Sequence, residues 1–388
     1  MNRKGIILTI IVLAQFCCTS LWFASNGVMS DLLLNFNLDA NALGYLTSAV
    51  QFGFILGTLS FAILTIADRF APSKVFVICA LLGALFNTLL IRPNNNLLLL
   101  ILFRFLTGFC LAGIYPVGMK IASDYFDKGL GISLSFLVGA LVLGTAFPHI
   151  LSEILPQANW EHVITATSII AVFGGFSMVI LVPNGPYRIA AKRFDTNAFS
   201  KVFNNRPFRA AALGYFGHMW ELYAFWTFVP LMLEFYNAIH TNSNLVVSLW
   251  SFLIIGIGGL ACVIGGYISR KIGAKQTAFI FLLLSCICCL LSPLIFSISN
   301  PILFLLFLLF WGCVVIADSP LFSTLVAQNA EKKSKGTALT IVNCIGFSIT
   351  IVSIMIINSL IGNWNTQFLF IILAVGPVLG LIGLRHNT

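Results

Sequence analysis

The stretch "RFLTGFCLAGIYP", residues 104–116, sets an arginine, a glycine and a proline inside a run that is otherwise apolar or small. That run extends over 97–119, close to the roughly 20 residues an α-helix needs to cross the hydrocarbon of a bilayer. The pattern returns late in the chain. Gly108 and Pro116 stand eight apart, and so do Gly312 and Pro320, 204 residues further on. Two neighbouring stretches recur as well. "ADRFAPSK" (67–74) is answered by "SRKIGAKQ" (269–276), about 202 residues later. "KGLGISLS" from Lys128 is answered by "KGTALTIV" from Lys335, at an offset of 207. Three recurrences in order, at nearly one offset, point to a duplicated half-chain.

Composition fixes the solvent in which the halves fold. The 388 residues are 59% hydrophobic and 9% charged, whereas soluble domains carry about 25% charge. So few charges could not cover the core of a water-soluble protein of this length. Apolar runs separated by polar breaks predict twelve spans, near 6–30, 42–66, 75–92, 97–119, 130–152, 162–182, 209–235, 245–268, 277–298, 301–324, 336–360 and 366–384. Lipid admits only helices and closed barrels, and these runs are too long and too uniformly oily for barrel strands. The expected fold is all-α and polytopic, with twelve transmembrane helices in two six-helix pseudo-symmetric halves. The opening run from Gly5 to about Ser30 exceeds the h-region of a secretory leader and lacks an A-x-A-like exit, so it is expected to stay as the first span.

Basic residues orient the bundle. If both termini share one side, that side receives nineteen of the twenty-one Lys and Arg, Lys128, Lys332 and Lys333 among them. The other two are Arg92, near the far surface, and Arg104, inside a span. Positive loops stay cytoplasmic, so both termini and the central loop are expected there, in a cytoplasmic (inner) membrane. The net charge of +9 is met by anionic lipid and calls for no nucleic-acid partner. The polar segment 183–207 reads as a linker between an N-terminal half, 1–182, and a C-terminal half, 208–388.

These features resemble the major facilitator superfamily along the whole chain. The signature of that family after span 2 is approximately G-x-x-x-D-R-x-G-R-K; Asp68, Arg69 and Lys74 fit it, while Leu64 and Ala71 replace glycines. The second copy keeps Gly266, Lys271, Gly273 and Lys275, with Arg270 in place of the acid. Arg104 and Gly108 match the family's R-x-x-x-G pattern in span 4. The resemblance implies a secondary transporter whose two halves rock about a central site, with spans 1, 4, 7 and 10 lining it. It also implies a cytoplasmic gate at the loop of Asp68 and Arg69, matched by Lys271 in the second copy. Other family patterns are absent. Span 5 reads "GALVLGTAFP" (139–148) rather than the antiporter motif, and span 1 offers Gln15, Ser25 and Asn26 in place of the acid of multidrug members. Spans 2 and 8 lack the arginines of nitrate porters.

Deep ionisable groups fall on three of those four spans: Arg104 in span 4, Glu221 in span 7 and Asp318 in span 10. A charge at the bilayer centre costs roughly 2.5–3.5 kcal/mol on insertion scales, so such groups face the bundle interior and serve a purpose. Glu221 is the first candidate for a proton carrier, because an acid in oil can shed its charge by taking a proton. The alternative is a structural pair with a basic group. His218, three residues earlier on the same face, is placed to share the proton. Asp318, two residues before Pro320, is a second carrier or a gate, since a proline can kink the helix there; an interface charge that pairs with loop lysines is the alternative. Arg104 presents a planar fork for an anionic solute, or an ion-pair partner for one of the acids. Asn26, Trp22, Tyr115, Tyr223 and Trp226 are candidate solute contacts, although aromatics also fill helix interfaces.

The expected function is therefore proton-coupled transport of a small organic solute, anionic or zwitterionic, by alternating access. Efflux of amphiphilic drug-like compounds by proton antiport is the alternative, as is a membrane receptor that retained the fold. There is no G-x-x-x-x-G-K-[ST] loop to bind ATP and no H-E-x-x-H. The ten cysteines lie within apolar runs, where cysteine acts as a small hydrophobe, and predict neither disulfide nor metal site. No enzymatic activity and no cofactor are expected, and the chain is expected to act as a monomer.

Overall fold

The computed structural model describes residues 3–126, 130–154, 159–188, 203–331 and 335–386. Lys128, Lys332, Lys333 and the middle of the 183–207 linker lie outside these ranges. All regular structure among the described residues is helical. Among the described residues, ten helices are long and apolar enough to cross a membrane. The other two expected spans depart from a simple apolar rod.

Span 1 begins as the helix Arg3–Thr19 and then breaks. The Thr19 hydroxyl donates to the carbonyl of Gln15 at 2.8 Å, and the Ser20 hydroxyl to that of Cys17 at 2.7 Å. Hydroxyls bonded back onto the preceding turn compete with the helix ladder. The chain continues through turns to a short 3-10 segment, Asn26–Val28, and a second helix, Met29–Asn35. Span 7 is one uninterrupted helix, Arg206–Ile239, opened by Pro207 in its first turn, where the missing N–H costs nothing. His218, Glu221 and several tyrosines and tryptophans dilute its apolar character.

The chain divides into two compact units, Met1–Phe194 and Asp195–Thr388. Within each, the sequence repeat is a repeat of packing. In the first unit Gly108 of span 4 sits against the backbone of Val50 in span 2; a methyl there would meet the Val50 carbonyl carbon at 2.8 Å. In the second unit Gly312 of span 10 sits against Ile254 in span 8, and a methyl would meet that carbonyl carbon at 3.0 Å. Val50 and Ile254 are themselves 204 apart, so glycine and partner were duplicated together. The prolines repeat their work too. Span 4 is built of Leu97–Leu111 and Tyr115–Tyr125, and span 10 of Pro301–Ala317 and Ser319–Asn329. Pro116 and Pro320 each stand in the first turn of the second piece.

The loop after span 2 turns on Thr65, at φ 50°, directly after the Leu64 that replaces the family glycine. The loop after span 8 turns instead on Gly273, at φ 90°.

Candidate functional site

Span 7 of the second unit presents its ionisable groups at two levels. Glu221 is 1% exposed. Its Oε1 accepts from Trp311 Nε1 at 2.7 Å and from Cys289 Sγ at 3.3 Å, and its Oε2 accepts from Ser285 Oγ at 2.9 Å. Ser285 and Cys289 are one turn apart on span 9, and Trp311 precedes the packing glycine of span 10. Among the described residues, no lysine, arginine or histidine forms an ion pair with Glu221. The carboxylate is satisfied by neutral donors alone, so it can change charge without breaking an ion pair.

One turn earlier, His218 faces a different acid. Its Nδ1 lies 2.8 Å from Asp318 Oδ1. Asp318 is the residue between the two helices of span 10, and its carbonyl accepts the first amides of the second helix, from Leu321 and Phe322, both at 2.9 Å. Pro320 thus stands at a joint whose side chain is tied to span 7. Tyr223 and Trp226 are buried on the same span with rings edge-on at 5.2 Å, and Tyr223 also contacts the ring of Phe347.

In the first unit Arg104 is wholly buried. Nη1 donates to the Leu21 carbonyl at 3.0 Å and to Asn87 Oδ1 at 3.3 Å, and Nη2 donates to the Trp22 carbonyl. The guanidinium fork therefore holds the broken part of span 1, whose carbonyls lost their helical partners. Asn87 is anchored in turn, donating to the Ile164 carbonyl, Thr167 and Ser168 at 3.0–3.2 Å. Asn26 donates to Thr47 Oγ1 at 2.9 Å, and the Trp22 ring lies 4.8 Å from that of Phe54. Tyr115 is half-buried at the start of the second helix of span 4.

The loop of Asp68 is tied within the same unit. Lys120 Nζ lies 2.8 Å from Asp68 and 3.9 Å from Asp124. Arg188 donates to the carbonyls of Asp68 and Phe70 at 3.3 and 2.9 Å. Arg69 and Lys271 are exposed.

Sequence reading did not single out Asn87, Ser285, Cys289 or Trp311. The available signal was a polar or hydrogen-bonding side chain inside an otherwise oily span, and it does not say which residue such a group meets.

Comparison with known proteins places the fold. The family model described as Major Facilitator Superfamily matches residues 11–354. The "Benzoate transport protein" of Acinetobacter baylyi is 25% identical over 326 residues, 72% of this chain and 67% of that protein. Among solved structures, the proton:xylose symporter XylE bound to 6-bromo-6-deoxy-D-glucose is similar with a TM-score of 0.75 at 15% identity, over 98% of this chain and 95% of that one. A variant of the nucleoside transporter NupG is similar at 0.73 and 14% identity over the full length of both. A bacterial homologue of the lysosomal transporter Spinster is similar at 0.67 and 14% identity, over 100% of this chain and 96% of that one.

Proposed function

This chain belongs to the major facilitator superfamily of membrane transporters, and from that premise we propose that it carries a small organic anion across the cytoplasmic membrane in exchange for, or together with, protons. The observation that carries the reading is the setting of Glu221: a buried carboxylate, held by Ser285, Cys289 and Trp311 and by no cation among the described residues. A proton can be taken up or released there without dismantling an ion pair, which is what a coupling site must do. The buried His218–Asp318 contact supplies a second exchangeable group at the joint of span 10. Protonation of either would bias the conformational equilibrium of an alternating-access cycle.

An anionic solute is supported by the likeness to a benzoate transport protein. Aromatic surfaces that suit a solute with a ring are present in each unit by itself: Trp22 and Tyr115, with Asn26 as a polar contact, in the first, and Tyr223 and Trp226 in the second. Arg104 serves it indirectly in this reading, as a positioning residue that fixes Trp22 through its backbone. Asp68 and Lys120 act as a gate on the side that carries the positive loops, with Arg69 exposed in the same loop and Lys271 exposed in the corresponding loop of the second unit. Both termini face the cytoplasm by the partition of lysine and arginine, and the working unit is one chain.

The test is uptake of labelled benzoate into proteoliposomes under an imposed pH gradient, against protein-free vesicles that set the passive rate of benzoic acid. Accumulation that follows the gradient above that rate, with matching proton movement, is expected, and its direction identifies symport or antiport. Protein-containing vesicles that accumulate no more than the empty ones would overturn benzoate-like anions as the solute.

A further inference from the structure

Span 2 carries Ser48, Gln51 and Thr58 on one helical face, at spacings of three and seven residues. All three are buried, Gln51 completely. The Ser48 and Thr58 hydroxyls and both amide atoms of Gln51 have no hydrogen-bond partner among the described residues. On span 1, Gln15 is likewise 0% exposed with neither amide atom partnered. Its Oε1 lies against Gly118 of span 4, where any side chain would displace it. Buried polar groups are almost always hydrogen-bonded; in this unit Arg104 Nε, Thr145 Oγ1, His149 Nε2 and Glu161 Oε2 are single atoms without a partner among the described residues, while other nearby groups obey the rule. Asn87 makes three donor contacts, Asn26 bonds Thr47, and both Nη atoms of Arg104 are engaged. Two whole glutamine side chains break it.

The surroundings indicate what would complete them. Phe54 follows Gln51 by one turn, and its ring lies 4.8 Å from Trp22, whose carbonyl Arg104 holds. Amide donors beside a tilted ring pair suit a ligand with a polar end and a flat apolar body. Arg104 spends its fork on backbone carbonyls, so neutral amides are left to meet an anion in this unit. Neutral donors also release an anion more readily than a guanidinium does.

We propose that Gln51 is a specificity-determining contact of this transporter. Its amide N–H groups donate to the carboxylate of a small aromatic acid, and Trp22 and Phe54 take the ring. This rests on the reading of the solute as an organic anion.

The test uses Gln51→Cys in the full chain in membranes, treated with a water-soluble methanethiosulfonate and mapped by peptide mass. Mapping keeps the native cysteines apart, and buried Cys18 and Cys262, bonded to the carbonyls of Ala171 and Ile316, serve as slow references. The new thiol should react at least about tenfold faster than these references, since the transport cycle opens a solute site to water and reactivity follows access, and millimolar benzoate should slow it. A folded variant that reacts no faster would overturn the site. Fast reaction without protection by benzoate would overturn the aromatic acid as occupant, whatever the uptake experiment shows. In Gln51→Leu, which keeps the bulk and removes the donors, half-saturation for benzoate should rise about tenfold, equivalent to ~1.4 kcal/mol. An unchanged value would overturn the carboxylate contact.

Discussion

His218 Nδ1 and Asp318 Oδ1 are 2.8 Å apart with both side chains sealed from solvent, so the middle of span 7 is tied to the joint of span 10. The tie spans a helix break, and its strength depends on protonation, because the imidazole is cationic only when it holds a second proton. Removing one partner of a buried pair strands the other and costs about 3–5 kcal/mol. Asp318→Ala and His218→Ala should each approach that cost in chemical unfolding. The double variant should lose clearly less than the two combined, as side chains in contact do. Additive losses would mean that the two act separately.

Arg104 offers a sharper test of position against charge. Lysine keeps the charge but cannot reach the carbonyls of Leu21 and Trp22 and the Asn87 amide at once. Hydrogen bonds to charged groups contribute about 1.5–3 kcal/mol each. Arg104→Lys should therefore lose about 2 kcal/mol or more of stability and most uptake, and added salt should restore neither. Full uptake by Arg104→Lys would show that charge alone suffices.

The duplicated glycines predict matched effects in the two halves. Gly108→Ala places a methyl on the backbone of Val50, and Gly312→Ala places one on that of Ile254. Backbone cannot swing aside as a side chain can, so each should cost at least the ~1–3 kcal/mol typical of overpacking. Thermal unfolding in detergent should show both variants destabilised, whereas Gly5→Ala, with open space around it, should be neutral.

Thr65 predicts a gain. A β-branched residue at φ 50° is strained, and the left-handed region costs an L-residue about 1–2 kcal/mol. Thr65→Gly should raise the unfolding midpoint, with the gain reduced by the entropy of glycine. A lowered midpoint would mean that the Thr65 side chain stabilises the turn by more than its backbone costs.

The fold was legible in the sequence because lipid leaves few options. Apolar runs of one length, a one-sided distribution of Lys and Arg and a repeat near 204 residues suffice to lay out two halves. The proline at 320 made a kink in span 10 legible, since it lacks an amide at a fixed place, whereas Pro116 was legible only as its repeat and the break in span 4 was not expected. The break in span 1 was not legible. Thr19 and Ser20 bond back onto their own turn beside it, but Thr107, Thr167, Ser168 and Thr227 do the same within continuous helices. With that break hidden, the partners of Arg104 were hidden as well, because backbone carbonyls have no sequence signature. The cage of Glu221 was lost for a different reason. Ser285, Cys289 and Trp311 lie 64 to 90 residues away in sequence, and in oily spans each reads as ordinary filling.

The central claim is that Glu221 exchanges the coupling proton, and Glu221→Gln tests it most directly. Its amide oxygen can still accept from Trp311, and its NH2 can donate to Ser285, so the variant should fold. In proteoliposomes loaded with unlabelled benzoate, labelled benzoate should still exchange across the membrane, while accumulation driven by a pH gradient falls to the level of empty vesicles. Gradient-driven accumulation equal to wild type, in a variant that also exchanges normally, would contradict the account.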